Sequence, residues 1–306
     1  MPTAIEYALM AGHAYRTTRD ETNWIPVPQG WTPFFPVPDP TTPTFPTTVG
    51  FEAISFQRGS EIVISYAGTN PSDVTGDIAA DIGLATGLGS AQLIQAAEYY
   101  LQVQAENPGA IITFTGHSLG GGLAALMGVF FGKQAVTFDQ APFANSAEAS
   151  LISPDVAVNL KTYLLSEGYS ETALQGLTDF LNVRAALPLG EIPNTSLVTS
   201  INVQGEFLSS VPYNILDRIG QSPSIPTNAP GVSGDDLHSV ALLTAFLQSI
   251  QTAQSGQALN DATFKLTKLV EMIFDDNLYA HPTTDADNRN FLERLVQNGS
   301  WRKMVA

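Results

Sequence analysis

The sequence predicts an α/β fold: a mostly parallel central sheet with helices on both faces and a helical cap inserted between strands. Three observations carry that expectation. Residues 110–131, AIITFTGHSLGGGLAALMGVFF, read as a β-branched apolar strand, a sharp turn and a small-residue helix. Further strand patterns at 61–67 (EIVISYA), 134–139 (QAVTFD) and 197–204 (LVTSINVQ) alternate with helical patterns. Such alternation gives parallel pairing through right-handed crossovers. With 306 residues the chain can bury a full core, and 1–306 reads as a single domain.

Taken in order, residues 3–16 space Ile5, Leu9 and Tyr15 as on a short helix, with a structural His13. Residues 24–48 hold eight prolines among Trp24, Trp31, Phe34, Phe35 and Phe45, which predicts a long irregular excursion without helix or central strand. It reads equally as an aromatic flap over an apolar pocket or as a proline-stiffened surface loop. Residues 51–57 and 61–67 form a strand pair joined at Arg58-Gly59-Ser60, and the second, apolar almost throughout, suits a central position. It ends at Gly68-Thr69-Asn70-Pro71. Asp77 and Asp81, four apart without a third ligand, read as the acidic start of a helix. An amphipathic helix over 87–107 then leads to the strand at 110.

Beyond the strand at 134–139, the alternation breaks at 145–193, where helical patterns at 156–167 and 171–183 predict the cap. The strand at 197–204 ends in Gly205-Glu206-Phe207, and a Pro- and Gly-rich loop runs to 236. His238 then opens an apolar helix. Residues 258–306 carry two more amphipathic helices, around Leu266 to Ile273 and Phe291 to Val296.

Thirteen Lys and Arg against 29 Asp and Glu give a net charge of -16, which argues against nucleic acid or anionic membrane surfaces as main partners. Neutral or apolar substrates fit better. The absence of Cys excludes disulfides and thiol catalysis, and four His leave little for zinc. No apolar run approaches the roughly 20 residues of a membrane-spanning helix. The N-terminus lacks the pattern of a secretory signal, so the expectation is a secreted bacterial protein exported without one, with the cytoplasm as the alternative.

The chemistry centres on Gly116-His117-Ser118-Leu119-Gly120. A G-x-S-x-G between strand and helix puts the Ser at the tip of a strained turn, with no Cβ on either glycine to keep the elements apart. A serine hydroxyl is a poor nucleophile near neutral pH and needs a base and a group to orient that base. His13 precedes the core, His117 points away from its neighbour's side chain, and His281 lies in the tail. His238 follows the last strand, completing the chain order Ser, acid, His of an α/β-hydrolase. Glu206, after a strand-end glycine, is the leading acid; Asp139 is the second, with Asp217 and Asp235 behind it. The oxyanion of a tetrahedral intermediate would lie between the N–H groups of Leu119 and Thr69.

Within 51–144, GHSLGGGLAAL preceded by IVISYAGTNPSDVTGDIAADI resembles the class 3 lipase family and its relatives among repeat-in-toxin lipases and polyester or polyurethane esterases. INVQGEFLS and DLHSVALL match more weakly. The resemblance implies an α/β-hydrolase with Ser118 as nucleophile, Thr69 in the oxyanion loop and His238 as base. The chain departs from that pattern at Ala67, where many class 3 lipases have Arg, and at Glu206, where Asp is usual; no calcium-binding repeats follow. No cofactor is expected for the chemistry, and a structural calcium is unsupported. The expected function is a serine ester hydrolase acting on lipids, small apolar esters or ester polymers. A phospholipase or acyltransferase with the same triad, and a catalytically silent binder of apolar ligands, are the alternatives.

Overall fold

The computed structural model describes residues 1–16, 24–37, 51–68, 91–149, 155–210, 213–225 and 234–252. Its centre is a seven-stranded sheet whose spatial order follows the sequence. The hairpin of β2 (Ala53–Arg58) and β3 (Glu61–Tyr66) turns through Gly59 at φ 60°, so that Arg58 faces Glu61. From β3 onward every pairing is parallel, through β4 (Ile111–His117), β5 (Ala135–Phe138), β6 (Val198–Val203) and the short β7 (Ser224–Ile225). The predicted mostly parallel sheet with flanking helices is therefore present.

One expectation is corrected. Within the proline-rich stretch, Thr32–Val37 forms a strand, β1, antiparallel to β2 at the sheet's edge. Prolines 33 and 36 lack an N–H, which an edge strand can forgo on its open side, and Phe35 at φ 52° marks the irregular register before Val37. Residues 38–48 lie outside the described residues.

Strand alternation divides the core between the two faces. Ile62, Ile64 and Tyr66 of β3 join Ile112 and Phe114 of β4 on one face, beneath α2 (Ala91–Glu106) and α3 (Leu119–Phe131). Tyr66 stacks on Phe114, and Tyr100 of α2 meets the Phe114 ring edge-on. Burying each such side chain stabilises the fold by about 1.5–3 kcal/mol. On the other face lies α1 (Ala4–His13), which starts at a capping box made by Thr3 and Glu6. Tyr7 of α1 donates to Thr113 at 3.0 Å, and Ser65 of β3 donates to the Met10 carbonyl at 3.1 Å. These hydroxyls let polar strand positions face a buried helix.

The stretch predicted as a cap is helical, with α4 (Ala144–Ala147), α5 (Val156–Ser166) and α6 (Gln175–Arg184) inserted between β5 and β6. Phe180 of α6 packs edge-on against Phe130 of α3, so these helices extend the same core. Arg184, buried, donates to the Ala147 and Glu148 carbonyls and pairs with Asp155, whose carboxylate also caps α5. After β7 come α7 (Gly234–Leu237) and α8 (Val240–Thr252), and α8 lies against α1. The expected tail helices in 258–306 fall outside the described residues.

Candidate active site

Ser118 stands between β4 and α3 with φ 59° and ψ -128°, a conformation that costs a non-glycine residue about 1–3 kcal/mol. Three backbone hydrogen bonds hold it there. The Ser118 N–H donates to Phe138 at 3.0 Å, and its carbonyl accepts from Gly122 at 3.1 Å and Ala141 at 3.0 Å. The flanking glycines are required by contact: a Cβ on Gly116 would lie 2.3 Å from the Gly120 oxygen, and one on Gly120 would lie 2.1 Å from the Tyr66 oxygen. Strand, turn and helix thus meet as the G-x-S-x-G pattern predicts.

The Ser118 hydroxyl lies 2.9 Å from Nε2 of His238, and Nδ1 of His238 lies 2.7 Å from Oε2 of Glu206. A carboxylate at Nδ1 fixes the proton there, so Nε2 presents its lone pair to the hydroxyl. His238 sits on the turn between α7 and α8 rather than opening the long helix as expected; its N–H donates to the Gly234 carbonyl at 3.0 Å. The three residues predicted as nucleophile, acid and base are brought together in one hydrogen-bonded row, across 120 residues of sequence between Ser118 and His238.

Glu206 follows β6 and is fully buried. Its Oε2 accepts from the Leu208 N–H at 2.7 Å as well as from His238, and its Oε1 accepts from the Ser209 hydroxyl and from Arg218, each at 2.6 Å. Burial pushes its pKa up, but the bonds from His238, the Arg218 charge and Ser209 outweigh it and hold the carboxyl at about 2.

Asp139, the second acid weighed from sequence, follows β5 at φ 40° with its side chain equally buried. Its Oδ1 accepts from the Val203 N–H at 2.7 Å, and Oδ2 has no hydrogen-bond partner. It makes no contact with a nitrogen of His238. Burial, reinforced by the charge of Glu206, raises its pKa well above the usual carboxylate range. Asp217 offers only its main chain here, accepting from the Ala144 N–H at 3.2 Å. The side chain of Asp235 lies outside the described residues.

Of the two expected oxyanion donors, Leu119 is the first residue of α3, where an N–H has no acceptor within the helix. Thr69 lies outside the described residues, as do Asp77 and Asp81. Its neighbour Gly68 is described, and a Cβ there would meet the Tyr15 hydroxyl at 2.6 Å, the His117 carbonyl at 2.8 Å and Ser118 Cβ at 3.1 Å. The strand leading to Thr69 therefore runs directly against the nucleophile.

Ligand atoms of His117, Asp139 and His238 lie within 4.8 Å of one another. Both ring nitrogens of His238 are engaged by Ser118 and Glu206, and Nε2 of His117 faces the His238 carbonyl at 2.8 Å, so no set of free lone pairs converges on a cation. His13 is buried against the Ile25 carbonyl and the Trp24 and Phe56 rings, a structural setting. Sequence reasoning missed Arg218 and Tyr15; neither sits in a motif, and each reaches the site only through tertiary packing.

No curated protein matches the chain. Among solved structures it is similar to the Lip2 lipase of Yarrowia lipolytica, at 18% identity over 74% of this chain and 78% of that one, with a TM-score of 0.41. It is also similar to the lipase of Rhizomucor miehei in complex with its propeptide, at 16% identity over 83% of this chain and 80% of that one, with a TM-score of 0.39. A phospholipase-like family profile, described as the Tle-like phospholipase domain, matches residues 6–265. That span takes in the whole described sheet and all of the Ser118, Glu206 and His238 row, and the chain belongs to the Tle-like phospholipase domain family.

Proposed function

We propose that the protein hydrolyses carboxylic ester bonds of lipids through an acyl-enzyme, with Ser118 as nucleophile, His238 as general base and acid, and Glu206 as the carboxylate that orients the imidazole. The carrying observation is the continuous row of 2.9 Å and 2.7 Å hydrogen bonds from Ser118 through His238 to Glu206. As Oγ attacks the acyl carbon, its proton passes to Nε2, and the ionised Glu206 stabilises the imidazolium. The oxyanion lies against the N–H groups of Leu119 and Thr69. His238 then gives the proton to the departing alcohol, and a water repeats the sequence to release the fatty acid.

Phospholipid is the favoured substrate, supported by the family match. A net charge of -16 favours zwitterionic over anionic head groups, because like charges disfavour approach to an anionic surface. The neutral-ester reading, triacylglycerol or a simple carboxylic ester, is supported by the resemblance of 51–144 to class 3 lipases. The deciding experiment offers phosphatidylcholine vesicles, triacylglycerol emulsion and p-nitrophenyl esters from acetate to palmitate to wild type and Ser118→Ala. Fatty-acid release from the vesicles, reduced by about 10⁴-fold or more in Ser118→Ala, is the expected result. Undiminished release in Ser118→Ala would remove the nucleophile from the scheme.

A further inference from the structure

His117, the residue beside the nucleophile, has no part in the scheme above, yet it is buried and both ring nitrogens are committed. Nε2 lies 2.8 Å from the main-chain carbonyl of His238, and Nδ1 lies 2.8 Å from the Tyr15 hydroxyl. The two imidazoles lie 4.7 Å apart between centroids. A carbonyl oxygen only accepts, so Nε2 of His117 carries a proton. In the neutral imidazole this leaves the lone pair at Nδ1, which accepts from the Tyr15 O–H at 2.8 Å, a closer acceptor than the His117 carbonyl at 3.3 Å that the same hydroxyl faces. The Asp139 oxygen, 3.9 Å from Nε2, is too far to compete.

We propose that His117 is a positioning residue for His238: its Nε2–H ties the main chain of the base to strand β4, which carries the nucleophile, and the Tyr15 hydroxyl supports the ring from its Nδ1 side. This rests on the assignment of His238 as the base. His238 sits on a two-residue turn between a four-residue helix and α8, so its side chain alone would leave its main chain free to shift. On one side the turn is held by the His238 N–H donating to Gly234 at 3.0 Å. The His117 bond holds the other side, from β4, which is paired on both edges and largely buried at the centre of the sheet. Ser118 and the anchor of its base are then consecutive residues of one strand end. A relative displacement of about 1 Å between reacting groups can slow turnover by about 10²-fold.

The test compares wild type, His117→Leu, His117→Gln, Tyr15→Phe and His238→Ala. It measures turnover of p-nitrophenyl butyrate and the rate of Ser118 phosphonylation by a fluorophosphonate, each per folded molecule. The Gln amide N–H can reach the carbonyl that the Leu side chain cannot. His117→Leu is expected to lose about 10- to 100-fold in kcat and in phosphonylation rate with KM within about twofold, and His117→Gln to recover most of it. Tyr15→Phe, which removes one oxygen and keeps the packing, is expected to lose about threefold to tenfold by leaving Nδ1 of His117 without its donor. If His117→Leu fails to fold, the Gln and Tyr15→Phe variants carry the same comparison. Folded His117→Leu reacting at the wild-type rate, or His117→Gln as impaired as Leu, or wild-type rates in both His117→Gln and Tyr15→Phe if the Leu variant does not fold, would overturn the positioning role alone. Equal rates in wild type and His238→Ala would instead overturn the assignment of the base, and the positioning role with it.

Discussion

Two histidine and carboxylate pairs lie side by side behind Ser118, and they are opposites. In the pair of His238 and Glu206 the nitrogen and oxygen are 2.7 Å apart; in that of His117 and Asp139 they are 3.9 Å apart. Both carboxyls are wholly buried. Glu206 receives donors from Leu208, Ser209, Arg218 and His238, and its pKa falls to about 2. Asp139 receives one, from Val203, and its pKa rises well above the usual range. Both acids are buried, so the donors that Glu206 collects and the repulsion its charge exerts on Asp139 decide which acid is ionised. Only an ionised acid in contact with Nδ1 can support an imidazolium, and Glu206 alone of the two meets both conditions.

Glu206→Gln breaks that contrast most severely. It keeps the shape but removes the charge and invites the wrong tautomer, and turnover is expected to fall about 10³- to 10⁴-fold, read as kcat/KM on a soluble ester. The next effect is on stability. Because the pKa of Glu206 is lowered from 4.5 to about 2 on folding, its ionisation contributes about 3 kcal/mol that is fully present above pH 4.5 and is lost as pH falls toward 2. Urea unfolding from pH 6 to pH 2.5 should show this loss in wild type and a much shallower one in Glu206→Gln. Asp139→Asn sharpens the comparison with the smallest change. A raised folded pKa means the native state holds the proton, so Asp139 withdraws stability as pH rises. The Asn variant should keep kcat within about threefold of wild type and gain stability over it as pH rises above the ordinary carboxyl value of 3.8. A dead Asp139→Asn beside an active Glu206→Gln would exchange the two roles.

The sequence made one of these pairs legible and hid the other. Ser118 announces itself because glycine spacing, strand and helix are all local, and Glu206 and His238 follow from a chain order and a strand end. The parallel sheet was equally readable from alternating periodicity. What was hidden depends on distance along the chain. Tyr15 meets His117 across 102 residues and His117 meets the His238 carbonyl across 121, so no local pattern marks either. Arg218 sits in a polar stretch, and nothing in DRIG says that its guanidinium ends on a buried carboxylate. Proline density at 24–48 argued for an irregular excursion without helix or central strand and gave no sign of the edge strand at 32–37, because it speaks to donors lost and not to whether an edge needs them.

That edge has a consequence of its own. A sheet grows by offering unpaired N–H and C=O groups to a new strand, and a high local concentration would bring such edges together. Strand β1 carries two prolines and, at a break in its register, a residue at φ 52°; at the far side β7 is two residues long. Among the described residues, the sheet is thus finished at both margins, and crowding of neighbouring molecules gives it little on which to polymerise.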